Sequence, residues 1–129
     1  MILISSKSVG MELVDVGDPA DFHFDKTDFT QDAGTYDLDL SGIVPAGTFA
    51  VILSTAVCTV DPDLGKGIVF RKKGNTNWRQ CFSNYANVTA KTNYLQGIVF
   101  VDGDRKIQYK TSDYAFWTLD VHVIGYWKI

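Results

Sequence analysis

Gly97-Ile98-Val99-Phe100-Val101, Lys106-Ile107-Gln108-Tyr109-Lys110 and Phe116-Trp117-Thr118-Leu119-Asp120-Val121-His122-Val123-Ile124-Gly125-Tyr126-Trp127 are three segments in close succession, and their reading decides the fold class. Each is rich in β-branched and aromatic residues, and the second and third alternate apolar with polar residues. That period of two is the pleat of a half-buried strand, with one set facing a core and the other facing water. Ile107 and Tyr109 are therefore expected inward, against Lys106, Gln108 and Lys110 outward. In the last segment Trp117, Leu119, Val121 and Val123 make the core face, and Thr118, Asp120, His122, Ile124 and Tyr126 the opposite one. A slip of one residue would bury Asp120 and His122, so the register is specified by the pattern itself. Between the first two segments, Asp102-Gly103-Asp104 predicts a hairpin turn, with Gly103 supplying the positive φ.

Upstream the same grammar repeats. Thr35 to Leu40 alternates, with Tyr36, Leu38 and Leu40 inward, and Ser41 to Gly47, holding Pro45 between two glycines, predicts a corner. Thr48 to Val60 is the longest apolar run and suits a strand covered on both faces, with a bulge at Ser54-Thr55. Ile68 to Arg71 and Trp78 to Asn84 add two more strands, with a loop from Tyr85 to Asn93. Before residue 35, Ile2 to Ser5 and Met11 to Val16 are short strand candidates, and an acidic passage with Pro19 and Phe22-His23-Phe24 follows them. No amphipathic helix stands out. The expectation is an all-β, antiparallel β-sandwich of about eight or nine strands, jelly-roll-like, spanning 35–129, with 1–34 as an N-terminal arm or peripheral strands.

Length and composition bound the function. At 129 residues and 14.3 kDa, with 46% apolar residues, the chain suits one domain with a sizeable core. It holds no apolar run near the roughly 18–20 residues of a membrane span. Met1 to Ile4 lacks the basic leader and length of a signal peptide, so synthesis in the cytoplasm without secretion is expected. A net charge of −3 argues against nucleic acid as partner. That charge is unevenly spread: residues 1–40 hold nine acids against two lysines, and residues 41–129 hold ten bases against six acids. The two parts are expected to meet, within one chain or between neighbours. Cys58 and Cys81 are too few for a disulfide scaffold and read as small buried hydrophobes, a cross-strand bridge being the minority reading.

Residues that suggest chemistry mostly dissolve on inspection. Asp61-x-Asp63-x-Gly65 opens like a calcium loop but lacks the third ligand and the closing glutamate, so it reads as a turn, as do Asp102 and Asp104. Thr118, Asp120 and His122 share a strand face at roughly 7 Å intervals, too far apart for a base and its orienting group, and no Gly-x-Ser-x-Gly elbow supplies a nucleophile. Two histidines and two cysteines this scattered make no zinc site. Arg71-Lys72-Lys73 with Trp78 and Arg79 is a basic patch that reads first as a solvated turn, and Asn87-Val88-Thr89 carries no weight as a sequon without secretion. No catalytic, cofactor-binding or metal-ligating residue is assigned. Trp78, Tyr85, Tyr94 and Tyr114 remain as surface contact residues, fit either to stack on sugars or to anchor a protein interface.

One resemblance adds to this. Asp39-Leu40-Ser41-Gly42-Ile43-Val44-Pro45-Ala46-Gly47 before an apolar strand, Phe70-Arg71-Lys72-Lys73-Gly74-Asn75, Asp104-Arg105-Lys106-Ile107-Gln108-Tyr109-Lys110 and the ending Gly125-Tyr126-Trp127 resemble, in order and spacing, a small β-sandwich domain of tailed-bacteriophage virion proteins. The resemblance covers about residues 35–129. It implies a non-enzymatic structural or adhesive part of the virion, assembled in the host cytoplasm, homo-oligomeric with a trimer favoured. A capsid-decorating or head-fibre role docking on other virion proteins is preferred, because a tail fibre would need shaft sequence. The alternative is a tail-fibre or carbohydrate-binding module recognising host-surface glycan. A small hydrolase is a weaker third.

Overall fold

The protein is described by a computed structural model covering residues 10–18, 22–60, 65–78, 82–88 and 90–129. Eight strands follow in order: β1 Glu12–Asp15, β2 Thr35–Asp39, β3 Thr48–Cys58, β4 Gly67–Lys72, β5 Phe82–Tyr85, β6 Asn93–Phe100, β7 Lys106–Thr111 and β8 Thr118–Lys128. A single 3-10 turn, Lys26–Asp28, is capped by Asp25. The strands form two four-stranded sheets, β1-β8-β3-β6 and β2-β7-β4-β5, with every pairing antiparallel. The pairs nest: β1 with β8, β2 with β7, β3 with β6, β4 with β5. The all-β sandwich expected from the alternation is what the chain forms. The strand candidate Ile2 to Ser5, the Asp61/Asp63 loop, Arg79, Cys81 and Thr89 lie outside the described residues; Cys58 is buried and free.

The period of two places the core as the sequence demands. From the first sheet Val51, Leu53, Val57, Val99, Leu119, Val121 and Val123 point between the layers; from the second come Leu38, Ile68, Phe70, Phe82, Ile107 and Tyr109. Phe29, Leu40, Val44, Ala86, Val101 and Phe116, from the connections, complete the core. At the β5/β6 side the layers approach closely. Phe70 stacks on Phe82, and a Cβ at Gly97 would stand 2.2 Å from the Phe82 ring. Gly97 is thus the space into which Phe82 packs, and Gly97→Val should cost about 3 kcal/mol by overpacking, read as a lowered urea midpoint.

A buried polar bridge ties the same corner. Asn84, fully buried on β5, donates through Nδ2 to Thr55 Oγ1 (2.9 Å) on β3 and to the Asn93 carbonyl (3.0 Å) on β6. Its Oδ1 accepts from Asn93 Nδ2 (2.6 Å). Among the described residues no buried side-chain polar atom lacks a partner.

Four expectations are corrected. Asp102-Gly103-Asp104 does not close a hairpin, because β6 and β7 belong to different sheets. The turn is a crossover, held by Asp102 Oδ1 accepting from the Asp104 and Lys106 amides, and Arg105, not Gly103, takes the positive φ of 62°. In β8, Trp117 precedes the strand and is 54% exposed, its N–H donating to the Cys58 carbonyl. The same strand changes sides near its end: Leu53 and Ile52 face Val123 and Gly125, so Ile124 is an extra residue. Such a bulge inverts the alternation beyond it. Tyr126 therefore packs on the core, and Trp127 turns to the outer face. The register of β3 slips at Thr48/Ala50 and Ile52/Leu53 and not at Ser54-Thr55.

The acidic N-terminal part is joined to the rest at several points. β1 extends the first sheet along β8, and Phe24 bridges Val121 further along that edge. Phe29 is buried in the core, and the Thr30 amide donates to the Tyr109 hydroxyl. Two ion pairs join acids of residues 1–40 to bases of 41–129: Asp37 with Lys73 (2.5 Å) and Glu12 with Lys128 (3.8 Å). The unequal charges of the two parts do meet within one chain.

Candidate functional site: the dry outer face of the first sheet

The two outer faces differ in kind. On the second sheet the outward positions include Thr35, Asp37 and Asp39 on β2, Lys106, Gln108 and Lys110 on β7, and Val69 and Arg71 on β4. Several of them bond to one another: Arg71 Nε donates to Gln108 Oε1 (3.0 Å), and Gln108 Nε2 to Asp37 Oδ1 (3.2 Å). Lys73 and Lys106 hold the Asp37 carboxyl below the usual range, the Lys73 hydrogen bond being the larger cause. This is an ordinary wet face.

On the first sheet, cross-strand pairing lines up Leu13, Trp127, Ala50 and Phe100 in one row, with Asp15, Gly125, Ile52 and Ile98 in the next. Ile98 is 56% and Phe100 58% exposed. Met11, Phe49, Ala50, Ile98, Phe100 and Trp127 line a groove of about 250 Å3 with no polar lining surface. Large apolar side chains gathered on one exposed face mark a contact surface on a soluble protein.

Further along β8, Phe22 packs on His122 (ring centroids 4.7 Å apart), and His23 meets His122 at 5.6 Å. The Val123 amide donates to His23 Nδ1 (2.9 Å), so this nitrogen is unprotonated and stands in for a backbone acceptor along the edge of β8. Burial, and then the neighbouring His122, lower the His23 pKa below its ordinary 6.5. An unfolded chain then takes up the proton first. The stability is fully present above about pH 6.5 and declines as pH falls through the window down to the folded value. The melting temperature should therefore drop from pH 7 to 5, and His23→Asn, whose oxygen keeps an acceptor at that place, should flatten the decline. An unchanged slope in that variant would remove His23 from the account. The depressed carboxyls of Asp25, Asp32, Asp37 and Asp39 add their loss only below about pH 3.8.

The four aromatics named from the sequence do not share one surface. Tyr94 lies on β6 and is 74% exposed, on the same side as Ile98 and Phe100. Tyr85, at the end of β5, lies over Gly67 on the opposite sheet. The Trp78 ring is covered by the Arg71 guanidinium (4.1 Å) and the Lys110 ammonium (4.8 Å). Tyr114 is half-buried, its ring against Phe116 and its hydroxyl accepting from the Val60 amide (2.7 Å). The groove residues were read from sequence only as strand. The signal available was the uncharged run from Asn93 to Val101, apolar at both parities.

Among the described residues no three histidine, cysteine or carboxylate side chains converge as metal ligands, and no helix is long and apolar enough to cross a membrane. Fold and surface together define a two-sheet β-sandwich with a wet outer face on the second sheet and an apolar patch at one end of the outer face of the first. In comparison with known proteins, the chain matches no protein-family model and no curated sequence.

Proposed function

We propose that this chain is a non-enzymatic structural protein of a bacteriophage virion, a capsid-decorating or head-fibre component that docks on other virion proteins through the outer face of its first sheet. The observation that carries the docking role is the apolar groove between Trp127, Ile98 and Phe100, set against a second sheet whose outer face is mostly charged and hydrogen-bonded. The nested order of strands supports a jelly-roll reading, an architecture used by viral capsid proteins and also by lectins. The virion assignment rests further on the resemblance of residues 35–129, and assembly would take place in the host cytoplasm.

Glycan recognition is the second reading. The exposed Tyr85 and the Trp78 ring, held by Arg71 and Lys110, lie on the side of the second sheet. Co-sedimentation with intact capsids from lysates of infected cells separates the two. The chain should pellet with capsids, and the double variant Ile98→Lys, Phe100→Lys should stay in the supernatant. Failure to pellet, together with glycan binding that Tyr85→Ala abolishes, would replace docking by glycan recognition.

A further inference from the structure

We propose that two copies of this chain pair β6 with β6 across a two-fold axis, extending the first sheet from four strands to eight. The inference deepens the docking role and rests on it only in making the dry face continuous across the pair. Among the described residues β6 is the last strand of its sheet, and none of them pairs with its outer edge. Folded proteins guard such edges with charge, shortness or cover. β1 carries Glu12 and Asp15, β2 carries Asp37 and Asp39, and β5 is four residues long. β6 is neither charged nor short: Asn93-Tyr94-Leu95-Gln96-Gly97-Ile98-Val99-Phe100 is eight residues without a charge.

The backbone shows what that edge offers. The Val101 amide donates to the Phe49 carbonyl (3.0 Å) and the Leu95 carbonyl accepts from Thr55 Oγ1 (2.8 Å), so odd-numbered residues bond toward β3. By alternation, the N–H and C=O groups of Tyr94, Gln96, Ile98 and Phe100 point out along the free edge. An antiparallel two-fold centred on Gly97 sets Gln96 against Ile98 of the second copy and Tyr94 against Phe100 of the second copy. These are hydrogen-bonded pairs, and every outward group of the four residues finds a partner. At the axis two glycines meet, with no side chain to collide.

Charge selects this partner. Lys91 precedes β6 and Asp104 follows it, both exposed and separated by the length of the strand, more than about 25 Å, so they cannot pair within one chain. Antiparallel self-pairing brings Lys91 of each copy beside Asp104 of the other. Two-fold pairing gives a dimer where the family resemblance implied a trimer.

Sedimentation velocity on the full chain tests it. The wild type should sediment as a dimer at about 50 µM, and Gln96→Pro should be a monomer with an unchanged thermal transition, since proline is tolerated where the amide points off an edge. Lys91→Glu should weaken the dimer about tenfold, and adding Asp104→Lys should restore it. A monomeric wild type, or a Gln96→Pro chain that still dimerises, would overturn the pairing. A monomer that still pellets with capsids would leave the docking role standing, whereas a dimer that fails to pellet would leave only the pairing.

Discussion

Phe70→Ala should lower the free energy of unfolding by about 4 kcal/mol. Against a typical total of about 5–15 kcal/mol, that leaves a marginal protein. The size of the effect follows from where the ring sits. Phe70 is fully buried, stacks on Phe82 at 6.1 Å, and Phe82 in turn fills the space above Gly97. The cavity cannot close cheaply, because its walls belong to strands held in register on both sides: β4 by β5 and β7, β6 by β3. Urea unfolding of the variant gives the number directly. A loss below about 1 kcal/mol would mean that the layers can collapse toward each other, and that the corner is not packed as described.

Asn84→Leu should cost about 3 kcal/mol, though it exchanges a polar for an apolar side chain in a buried place. Removing the amide takes away three buried hydrogen bonds, of 2.9, 2.6 and 3.0 Å, and leaves the Thr55 hydroxyl only its bond to the Leu95 carbonyl and Asn93 Nδ2 only its bond to the Tyr85 carbonyl. Losing three such bonds at about 1 kcal/mol each outweighs the gain from burying the leucine. Adding Thr55→Val should recover part of the loss, because it removes one of the groups left short of a partner. A neutral Asn84→Leu would show that water or a local shift can replace the bridge.

Much of the fold was written locally. Thr35 to Leu40 and Lys106 to Lys110 are half-buried strands whose alternation needs no partner to be read. What failed was non-local. The turn at Asp102 carries hairpin chemistry, yet β6 pairs with β3 and β7 with β2 and β4, a choice made by strands some forty to seventy residues away. The inversion that sends Trp127 outward comes from the register against β3, which no window within β8 reveals. Trp117 was read as core because it continues the parity of Leu119, but the strand starts one residue later.

The candidate site was legible only in part, for the same reason. The sequence marks Tyr94 as a surface aromatic, but its strand reading starts at Gly97, whereas β6 begins four residues earlier, at Asn93. Ile98 and Phe100 read as apolar strand residues, and apolar residues in strands are assigned inward by default. Only the sheet order shows that β6 is an edge strand whose even positions face away from the core.

The account stands or falls on β6 being a contact surface. Amide-hydrogen exchange on the intact chain, resolved by residue and followed at high and low protein concentration, tests this most directly. The amides of Tyr94, Gln96, Ile98 and Phe100 should exchange slowly in the concentrated sample and quickly in the dilute one, while those of Leu95, Gly97 and Val99 stay protected in both. Fast exchange of the four even-numbered amides at every concentration would contradict it.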